Sequence, residues 1–381
     1  MNLKLVEKIA DAVLYEGYIL YPYRASAVKN RQRFTFGALM PESYSIAERG
    51  TENWSMQTQC LVLGNADTLI EVKARFLHLL MREVWQPIHN ASMTYSTLPQ
   101  ADSEALPALL DSAFRPVETL EIEGQFWQTW QEAVEREADT KAVKLGELLS
   151  HPQSINFSFP ARQDAEYLRD AEGSLLGVLL RKQQAVEGII EMRVENCGLQ
   201  VEREAITQLG DDNLQSAILN PHLYKLTIRI LNLTELANAA QKSREEALLF
   251  SLASTHTILG VQKGEFVSLL EPPVECSEAV AACNQIGTFP VLVGETGERD
   301  LLLSSPIILY DYPQVAPESA GDLFDGAEID EILMLRILTL TDEEKREMRS
   351  VDERARQILE RTETMPTEQL MKLHGVMRGM R

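Results

Sequence analysis

The clearest fold signal in this chain comes from two stretches with the same pattern. They are Glu187-Gly-Ile-Ile-Glu-Met-Arg-Val-Glu-Asn196 and Tyr224-Lys-Leu-Thr-Ile-Arg-Ile-Leu-Asn232. Apolar and polar residues alternate in both, with apolar positions at Ile190, Met192 and Val194 in the first and at Leu226, Ile228 and Ile230 in the second. A period of two is typical of strands that bury one face, because successive side chains point to opposite sides of a strand. The two stretches therefore predict an antiparallel sheet or a small sandwich in the middle of the chain.

Toward the N-terminus the pattern becomes mixed. Apolar residues at helical spacing predict helices over residues 3–14 and over Leu69 to Val84. A domain boundary is expected near Ser150-His-Pro-Gln153, where the alternating section begins. Residues 1–150 are therefore predicted to form a mixed α/β N-terminal domain, and residues 151–315 a β-rich central domain.

The last part of the chain, residues 316–381, is predicted to be an acidic loop followed by helices. Thr341-Asp-Glu-Glu344 has the spacing of a capping box, in which a Thr hydroxyl and a Glu carboxylate accept hydrogen bonds from the first N–H groups of a helix. The sequence thus predicts an α+β protein with a mixed N-terminal domain, an antiparallel β-rich central region and a helical C-terminal section.

The charge of the chain limits the classes of partner. Its 381 residues include 36 Lys and Arg against 57 Asp and Glu, which gives a formal net charge of −21. Nucleic acids are bound by clustered Lys and Arg, so this composition predicts that nucleic acid is not a partner. Apolar residues make up 45% of the chain, which is enough for a folded core. The acidity is therefore expected on the surface of a folded protein.

The N-terminal residues and the hydropathy pattern bear on location. Charges at Lys4, Glu7 and Lys8 interrupt any apolar run, so no signal-peptide core is expected. The most apolar later stretch, Leu301 to Tyr310, is much shorter than the ~20 residues of a membrane span. We therefore predict a cytoplasmic protein without membrane insertion.

The sequence contains no complete catalytic signature, so catalytic residues stay unknown. Gly-rich dinucleotide and phosphate loops and the Gly-x-Ser-x-Gly elbow are absent, and the six histidines are scattered without zinc spacing. Cys276 and Cys283 stand two helical turns apart. They are either a thiol pair for metal or redox work or two small buried residues. No metal site and no cofactor is predicted, although a site assembled from distant residues stays open.

Two segments stand out against the acidic background, and the first is cationic. This cationic segment, residues 18–33, contains four Lys or Arg residues within ten positions beside three tyrosines. Arginine forks bind carboxylate or phosphate in two-point contacts, and tyrosines add a flat, partly apolar surface. The alternative is that these cations pair with the protein's own surplus of carboxylates. The candidate residues for binding an acidic partner or an anion are Tyr21, Tyr23, Arg24, Lys29 and Arg31.

The second segment, residues 309–331, is acidic and contains seven Asp or Glu residues and no Lys or Arg. A calcium loop does not fit, because Phe324 and Ala327 stand where ligands would be needed. The acids either gather at the N-terminal turn of a helix, where the helix dipole favours them, or form an exposed docking loop. The candidate binding residues in this acidic segment are Tyr310, Asp311, Tyr312, Asp322 and Asp325.

Both segments resemble a known family. The resemblance lies in Leu14-Tyr-Glu-Gly-Tyr-Ile-Leu-Tyr-Pro-Tyr-Arg-Ala-Ser-Ala-Val-Lys-Asn30, in Leu302-Leu-Ser-Ser-Pro-Ile-Ile-Leu-Tyr-Asp-Tyr-Pro-Gln-Val-Ala-Pro-Glu318 and in Asp322-Leu-Phe-Asp-Gly-Ala-Glu-Ile-Asp-Glu-Ile-Leu333. These stretches resemble the markers of an uncharacterised bacterial family encoded among the accessory and maturation genes of nickel–iron hydrogenases. The resemblance covers both ends of the chain and the middle only in outline. It implies family membership and gene neighbourhood, and it brings no catalytic motif.

The leading hypothesis is a non-enzymatic accessory or assembly factor that acts through protein–protein contacts in nickel–iron hydrogenase maturation. The resemblance implies hydrogenase subunits or maturation proteins as partners, with the cationic and acidic segments as recognition surfaces. The rival hypothesis is an enzyme or metal-handling protein whose site combines Asp311, Asp322, Asp325 and a histidine. In a third, the two segments face each other and close the fold.

Overall fold

Strands dominate the computed structural model, which describes residues 9–10, 13–14, 35–88, 105–200, 221–314, 337–351 and 353–364. Strands account for 47% of the residues and helices for 22%. The strands form three sheets, and the helices are few and short. The prediction of an α+β protein with a mixed N-terminal domain and a helical C-terminal section is therefore wrong. The protein is mostly β.

The bounds of the elements are as follows. The strands are β1 (Ser55–Gly64), β2 (Leu69–Pro87), β3 (Phe114–Val117), β4 (Thr119–Ile122), β5 (Gln125–Gln128), β6 (Trp130–Asp139), β7 (Val143–Lys144), β8 (Gln153–Phe159), β9 (Arg162–Arg169), β10 (Leu175–Gln183), β11 (Val186–Gln200), β12 (His222–Asn232), β13 (Ala253–Gln262), β14 (Glu265–Val267), β15 (Phe289–Leu292) and β16 (Leu301–Ser305). The helices are α1 (Glu42–Ala47), α2 (Ala105–Ala113), α3 (Leu145–Ser150), α4 (Arg244–Leu248), α5 (Ser277–Ala281), α6 (Asp342–Val351) and α7 (Glu353–Thr364), with 3-10 turns at Ala239–Gln241 and Val274–Cys276.

The first sheet contains the two alternating stretches as neighbouring strands. Its order is β14-β1-β12-β11-β8, and its neighbours pair antiparallel. Ile190 of β11 lies opposite Ile230 of β12, and Val194 lies opposite Leu226, so the apolar positions of both strands share one face. That face is buried in the largest hydrophobic cluster of the protein.

The second sheet is built around the 19-residue strand β2. Its order is β15-β16-β13-β2-β10-β9, with β3, β6 and β7 also paired to β2. On one side of β2, β13 pairs with residues 69–77 and β10 with residues 80–85. On the other side, β6 pairs with residues 73–82. Residues 78 and 79 therefore lie in a notch between the ends of β13 and β10.

The prediction of a helix over Leu69 to Val84 is wrong, because this stretch is β2. Both of its faces are covered by other parts of the protein. A strand buried on both faces reads as an almost continuous apolar run, and spacing alone does not separate such a run from a buried helix. One face packs against the first sheet through Ile70, Val72, Ala74 and Phe76, and the other packs against helices through Leu77 and Leu79.

The two sheets form a sandwich, and the chain crosses between them at one end. Inside the sandwich, the ring of Phe76 lies 5.8 Å from that of Phe157 and 5.7 Å from that of Phe159, measured between centroids. Strand β8 is an edge of the first sheet and β9 an edge of the second, so the chain crosses at residues 160–161. It returns at residues 184–185, between β10 and β11. Both sheets combine strands from residues 1–150 with strands from residues 151–315.

Helices cover the outer face of the second sheet. Residues of α1, α4, α6 and α7 pack with Leu77 and Leu79 of β2 in one hydrophobic cluster. The predicted capping box before α6 is confirmed: the Glu344 N–H donates to Thr341 Oγ1 (3.2 Å), and the Thr341 N–H donates to Glu344 Oε2 (2.8 Å). Across the described ranges, no helix is long and apolar enough to cross a membrane.

Candidate functional site: a charged belt on the longest strand

The Asp311 side chain ties together the edges of the two sheets. Its Oδ2 accepts a hydrogen bond from the Ser268 hydroxyl (2.5 Å), just after edge strand β14 of the first sheet. Its Oδ1 accepts from the backbone N–H of Leu292 (2.8 Å), on edge strand β15 of the second sheet. Both carboxylate oxygens therefore accept hydrogen bonds inside the fold. This gives Asp311 a structural role, whereas the sequence predicts that it binds a partner or anion.

The two tyrosines beside Asp311 differ in their surroundings. Tyr310 is 83% exposed and available for contact. Tyr312 has a left-handed backbone conformation (φ 55°), and its hydroxyl donates to the carbonyl oxygen of Glu298 (2.9 Å). The Tyr312 N–H donates to the carbonyl oxygen of Leu292 (2.7 Å). Of the pair, only Tyr310 presents most of its side chain to solvent.

The other predicted site residues lie outside the described residues, but the ends of their segments do not. Ile9, before the cationic segment, shares a cluster with Ile307, before the acidic segment. Met40, after the cationic segment, shares another cluster with Ile337, after the acidic segment. Both clusters lie on the outer face of the second sheet, where they include residues of β13, β15 and β16 or of β2. The chain therefore enters and leaves both segments on the same face. The residues outside the described ranges are Tyr21, Tyr23, Arg24, Lys29, Arg31, Asp322 and Asp325.

A belt of charged and polar side chains crosses the opposite face of β2. Directly paired residues on neighbouring strands point to the same face of a sheet. The pairing of β2 with β6 and β10, and of β10 with β9, therefore places these side chains together. The first sheet covers one end of this face at Phe76, and the β4–β5 hairpin covers the other at Val84. The charged belt consists of His78 and Arg82, Glu132 and Arg136, Arg181 and Gln183, and Arg162, Asp164 and Glu166.

One half of the belt, here called the paired half, is saturated with ion pairs. Glu132 Oε1 accepts from Arg82 Nη1 (2.7 Å), and Glu132 Oε2 accepts from Arg181 Nε (2.9 Å). Arg181 Nη1 also donates to Glu166 Oε2 (3.0 Å). Arg82 is only 4% exposed, and its Nη2 donates to the backbone carbonyl oxygen of Ser350 in α6 (2.7 Å). One carboxylate therefore bridges two guanidinium groups, one of which is buried.

The other half, here called the open half, contains cations that form no ion pair with a carboxylate of the described residues. Arg136 Nη2 donates to the side-chain oxygen of Gln183 (2.7 Å), and the guanidinium lies 5.0 Å from the ring centroid of Phe159. Its buried Nε has no hydrogen-bond partner. Burial and the nearby charge of Arg162 lower the pKa of Arg136. Among the described residues of the open half, no carboxylate balances this charge.

His78 lies beneath the Arg136–Gln183 hydrogen bond. Arg136 is opposite Phe76 and Gln183 is opposite Leu80, so their bond crosses β2 above His78. The histidine has no exposed surface, and neither ring nitrogen is in hydrogen-bonding geometry with another group. Burial and Arg136 lower its pKa to about 4, although the nearby backbone of Gln184 favours the protonated form. His78 is therefore a neutral, buried imidazole with unused polar atoms.

Sequence reasoning missed the belt because its stretch of β2 was predicted to be a helix. In the strand, Phe76, His78, Leu80 and Arg82 alternate with Leu77, Leu79 and Met81, so polar residues fall on one face only. The signal available in the sequence was the pair His78 and Arg82, which stand four positions apart among apolar residues. The acidic partners, which lie on β6 and β9, were not recognisable from the sequence.

A second buried histidine, His256, lies on the other face of the sheet. It is paired with Arg75 of β2, and its Nδ1 is 2.7 Å from the carbonyl oxygen of Ser254. A carbonyl oxygen only accepts, so in the neutral ring Nδ1 carries the proton. Burial, with a contribution from Arg75, lowers the pKa of His256 to about 4, and the Ser254 carbonyl acts in the opposite direction.

The described residues provide no metal centre. They contain no group of three or more His, Cys, Asp or Glu side chains that could hold a metal ion. Cys276 and Cys283 pack in the same small hydrophobic cluster beside the first sheet. Burial raises the pKa of both thiols, that of Cys283 to about 11. Their environment thus favours the interpretation of two small buried residues over a reactive pair.

Comparison with known proteins adds no family. The chain matches no protein-family model and no curated protein sequence.

Proposed function

We propose that this chain is a non-enzymatic accessory factor that acts through protein–protein contacts, in the maturation of nickel–iron hydrogenases and in the cytoplasm. The observation that carries the proposal is the common anchoring of the two marker segments. Ile9 and Ile307 before them, and Met40 and Ile337 after them, pack in shared clusters on one face of the second sheet. Two segments anchored on the same face of a sheet are suited to contact one partner together.

The composition of the segments supports a protein partner over a small substrate. The cationic segment offers arginine forks and tyrosines, which are enriched where proteins meet. The acidic segment offers carboxylates in a stretch without bases. A partner surface with patches of both signs would complement the two segments, and such complementarity increases the rate and specificity of association. The exposed side chain of Tyr310 adds an aromatic contact at the start of the acidic segment.

The rival function, an enzyme or metal-handling protein built on Asp311 and a histidine, is less well supported. The two oxygens of Asp311 already accept hydrogen bonds from Ser268 and Leu292. Both oxygens of this carboxylate are engaged inside the fold, so a metal at Asp311 would have to share an oxygen with one of these hydrogen bonds. Elemental analysis of the purified protein tests this alternative, since a stoichiometric metal would support it.

Affinity purification from cells that make the hydrogenase tests the proposed function. We expect hydrogenase subunits or maturation proteins to co-purify with the wild-type chain and to be lost with Arg24→Glu. The matched control is Arg193→Glu, an exposed position on the outer face of the first sheet. Recovery of no such protein with the wild-type chain would contradict the proposal.

The Arg24→Glu variant also separates the proposal from the third hypothesis, in which the two segments only close the fold. In that case the substitution lowers the thermal stability and leaves the partner bound to the folded fraction. Under the proposal, the melting temperature changes little and the partner is lost.

A further inference from the structure

We propose that the open half of the charged belt is a binding site for a small oxyanion, a carboxylate or phosphate group, held by Arg136 and Arg162 above His78. The site does not depend on the proposed protein contacts, because it lies on the opposite face of the second sheet from the residues that anchor the two segments. Three observations carry the proposal: the placement of the cations, the unused buried polar atoms and the missing counter-charge.

The cations converge because of strand pairing. Arg162 of β9 is directly opposite Gln183 of β10, and Gln183 receives the hydrogen bond from Arg136 of β6. The two guanidinium groups are close enough for the charge of Arg162 to lower the pKa of Arg136. Arg136 is half-buried and held against the Phe159 ring, while Arg162 is exposed. One cation is thus fixed in place, and the other can close over a ligand from the solvent side.

Unused polar atoms lie at the same place. The Nε of Arg136 and both ring nitrogens of His78 are buried without a hydrogen-bond partner. Buried polar groups in folded proteins are almost always hydrogen-bonded, and exceptions point to a bound water, an ion or a functional site. His78 is neutral, so one ring nitrogen donates and the other accepts. An oxyanion with a bound water, or a protonated oxygen of the ligand, would satisfy both.

The local charge balance favours an anion over water alone. The paired half uses Glu132 to neutralise Arg82 and Arg181, and Glu166 adds a second carboxylate. The open half has two guanidinium groups. Asp164, on the same face, lies opposite Arg181 and forms no ion pair with Arg162 or Arg136 in the described structure. Like charges at close range are unfavourable unless a counter-charge lies between them.

Calorimetric titration of the full-length protein at constant ionic strength tests the site, with inorganic phosphate and malonate as the two probes. We expect saturable binding of at least one probe, and the stronger probe identifies the ligand as phosphate-like or carboxylate-like. Removing one charge-assisted contact weakens such binding by roughly tenfold or more. Arg162→Gln and Arg136→Gln should therefore each reduce the affinity by about that factor.

The controls separate this site from general attraction of anions. Arg193→Gln removes the same charge from an exposed position on the first sheet and should leave the affinity unchanged. Because Arg162 is exposed, Arg162→Gln keeps the test valid even where Arg136→Gln fails to fold. In NMR spectra assigned with His78→Asn, a saturating probe should shift the ring signals of His78 and leave those of His256 unchanged.

Several outcomes would overturn the proposal. Absence of saturable binding of both probes would mean that water alone occupies the site. Equal loss of affinity in Arg193→Gln and Arg162→Gln would mean that the anions respond only to overall charge. A probe that binds without moving the His78 signals would lie elsewhere on the protein.

Discussion

The two halves of the charged belt use the same residue types with opposite results. In the paired half, Glu132 joins buried Arg82 to Arg181, so each guanidinium has a carboxylate partner. In the open half, Arg136 has the neutral amide of Gln183 and the Phe159 ring beside it, and neither ring nitrogen of His78 is in hydrogen-bonding geometry. The difference lies in the carboxylates of Glu132 and Glu166, which have no counterpart in the described part of the open half. A buried cation with its counter-charge in the chain is part of the fold, whereas one without it is suited to bind a counter-charge from outside.

The largest expected effect concerns the carboxylate that makes the paired half. Glu132→Gln removes the carboxylate that joins buried Arg82 to Arg181, and breaking such a buried ion pair costs about 3–5 kcal/mol of unfolding free energy. Urea denaturation measures the loss. The control is Glu191→Gln in the exposed pair with Arg229, where a cost of at most about 1 kcal/mol is expected. Similar losses for both variants would show that the paired half has no special role in stability.

The next effect is a loss of stability in acid from the two buried histidines. His78 and His256 have pKa values of about 4 in the folded protein, below the ordinary value of 6.5. As the pH falls below 6.5, the unfolded chain takes up these protons first, so the stability that the two histidines contribute falls between pH 6.5 and 4 and changes little below pH 4. Each histidine contributes up to about 3 kcal/mol to this loss. Urea denaturation as a function of pH checks it.

A single variant assigns this pH dependence to the open half. His78→Gln should remove about half of the decrease between pH 6.5 and 4. A bound anion beside Arg136 would favour protonated His78, so saturating phosphate or malonate should reduce the wild-type decrease and leave that of His78→Gln unchanged. An identical slope in wild type and variant would contradict a role for His78.

Asp311 should behave like the paired half, because its carboxylate is used inside the fold. Asp311→Ala removes the acceptors of Ser268 and Leu292 and should cost about 2 kcal/mol. Asp311→Asn keeps one acceptor oxygen and should cost about half as much. Thermal unfolding measures both. Loss of a co-purifying partner at unchanged stability would instead assign Asp311 to the recognition surface.

The smallest effect is expected in the open half itself. Arg136→Gln loses one hydrogen bond to Gln183 but also removes a half-buried charge next to Arg162, and these effects largely cancel. We expect a change of less than about 1 kcal/mol in the absence of added anions. Urea denaturation in a chloride-only buffer checks it. A loss as large as that of Glu132→Gln would show that Arg136 has a structural partner and that the two halves do not differ.

Local features of the fold could be predicted from the sequence, and features set by distant partners could not. The alternating stretches ending at Asn196 and Asn232 are neighbouring strands, and the capping box at Thr341 is present, because both depend on residues near in sequence. Strand β2 was misassigned because both of its faces are buried. Its apolar residues therefore fit a helix as well as a strand.

The candidate site depends on long-range pairing even more strongly. Glu132 is 50 residues from Arg82 and 49 from Arg181, and no local pattern connects them. Asp311 was recognised as unusual, but its partners Ser268 and Leu292 are 43 and 19 residues away. A sequence shows which side chains carry charge, whereas strand pairing decides which charges meet.

The shared anchoring of the cationic and acidic segments has a consequence for how the sequence of this protein can vary. The described residues that flank each segment pack in shared clusters, and the free-energy cost of closing a loop grows only slowly with its length. Insertions and deletions within residues 18–33 or 318–331 should therefore leave the sandwich almost unaffected, while substitutions at Met40 or Ile337 should not be tolerated. Such an arrangement lets specificity diverge between related proteins on an unchanged scaffold.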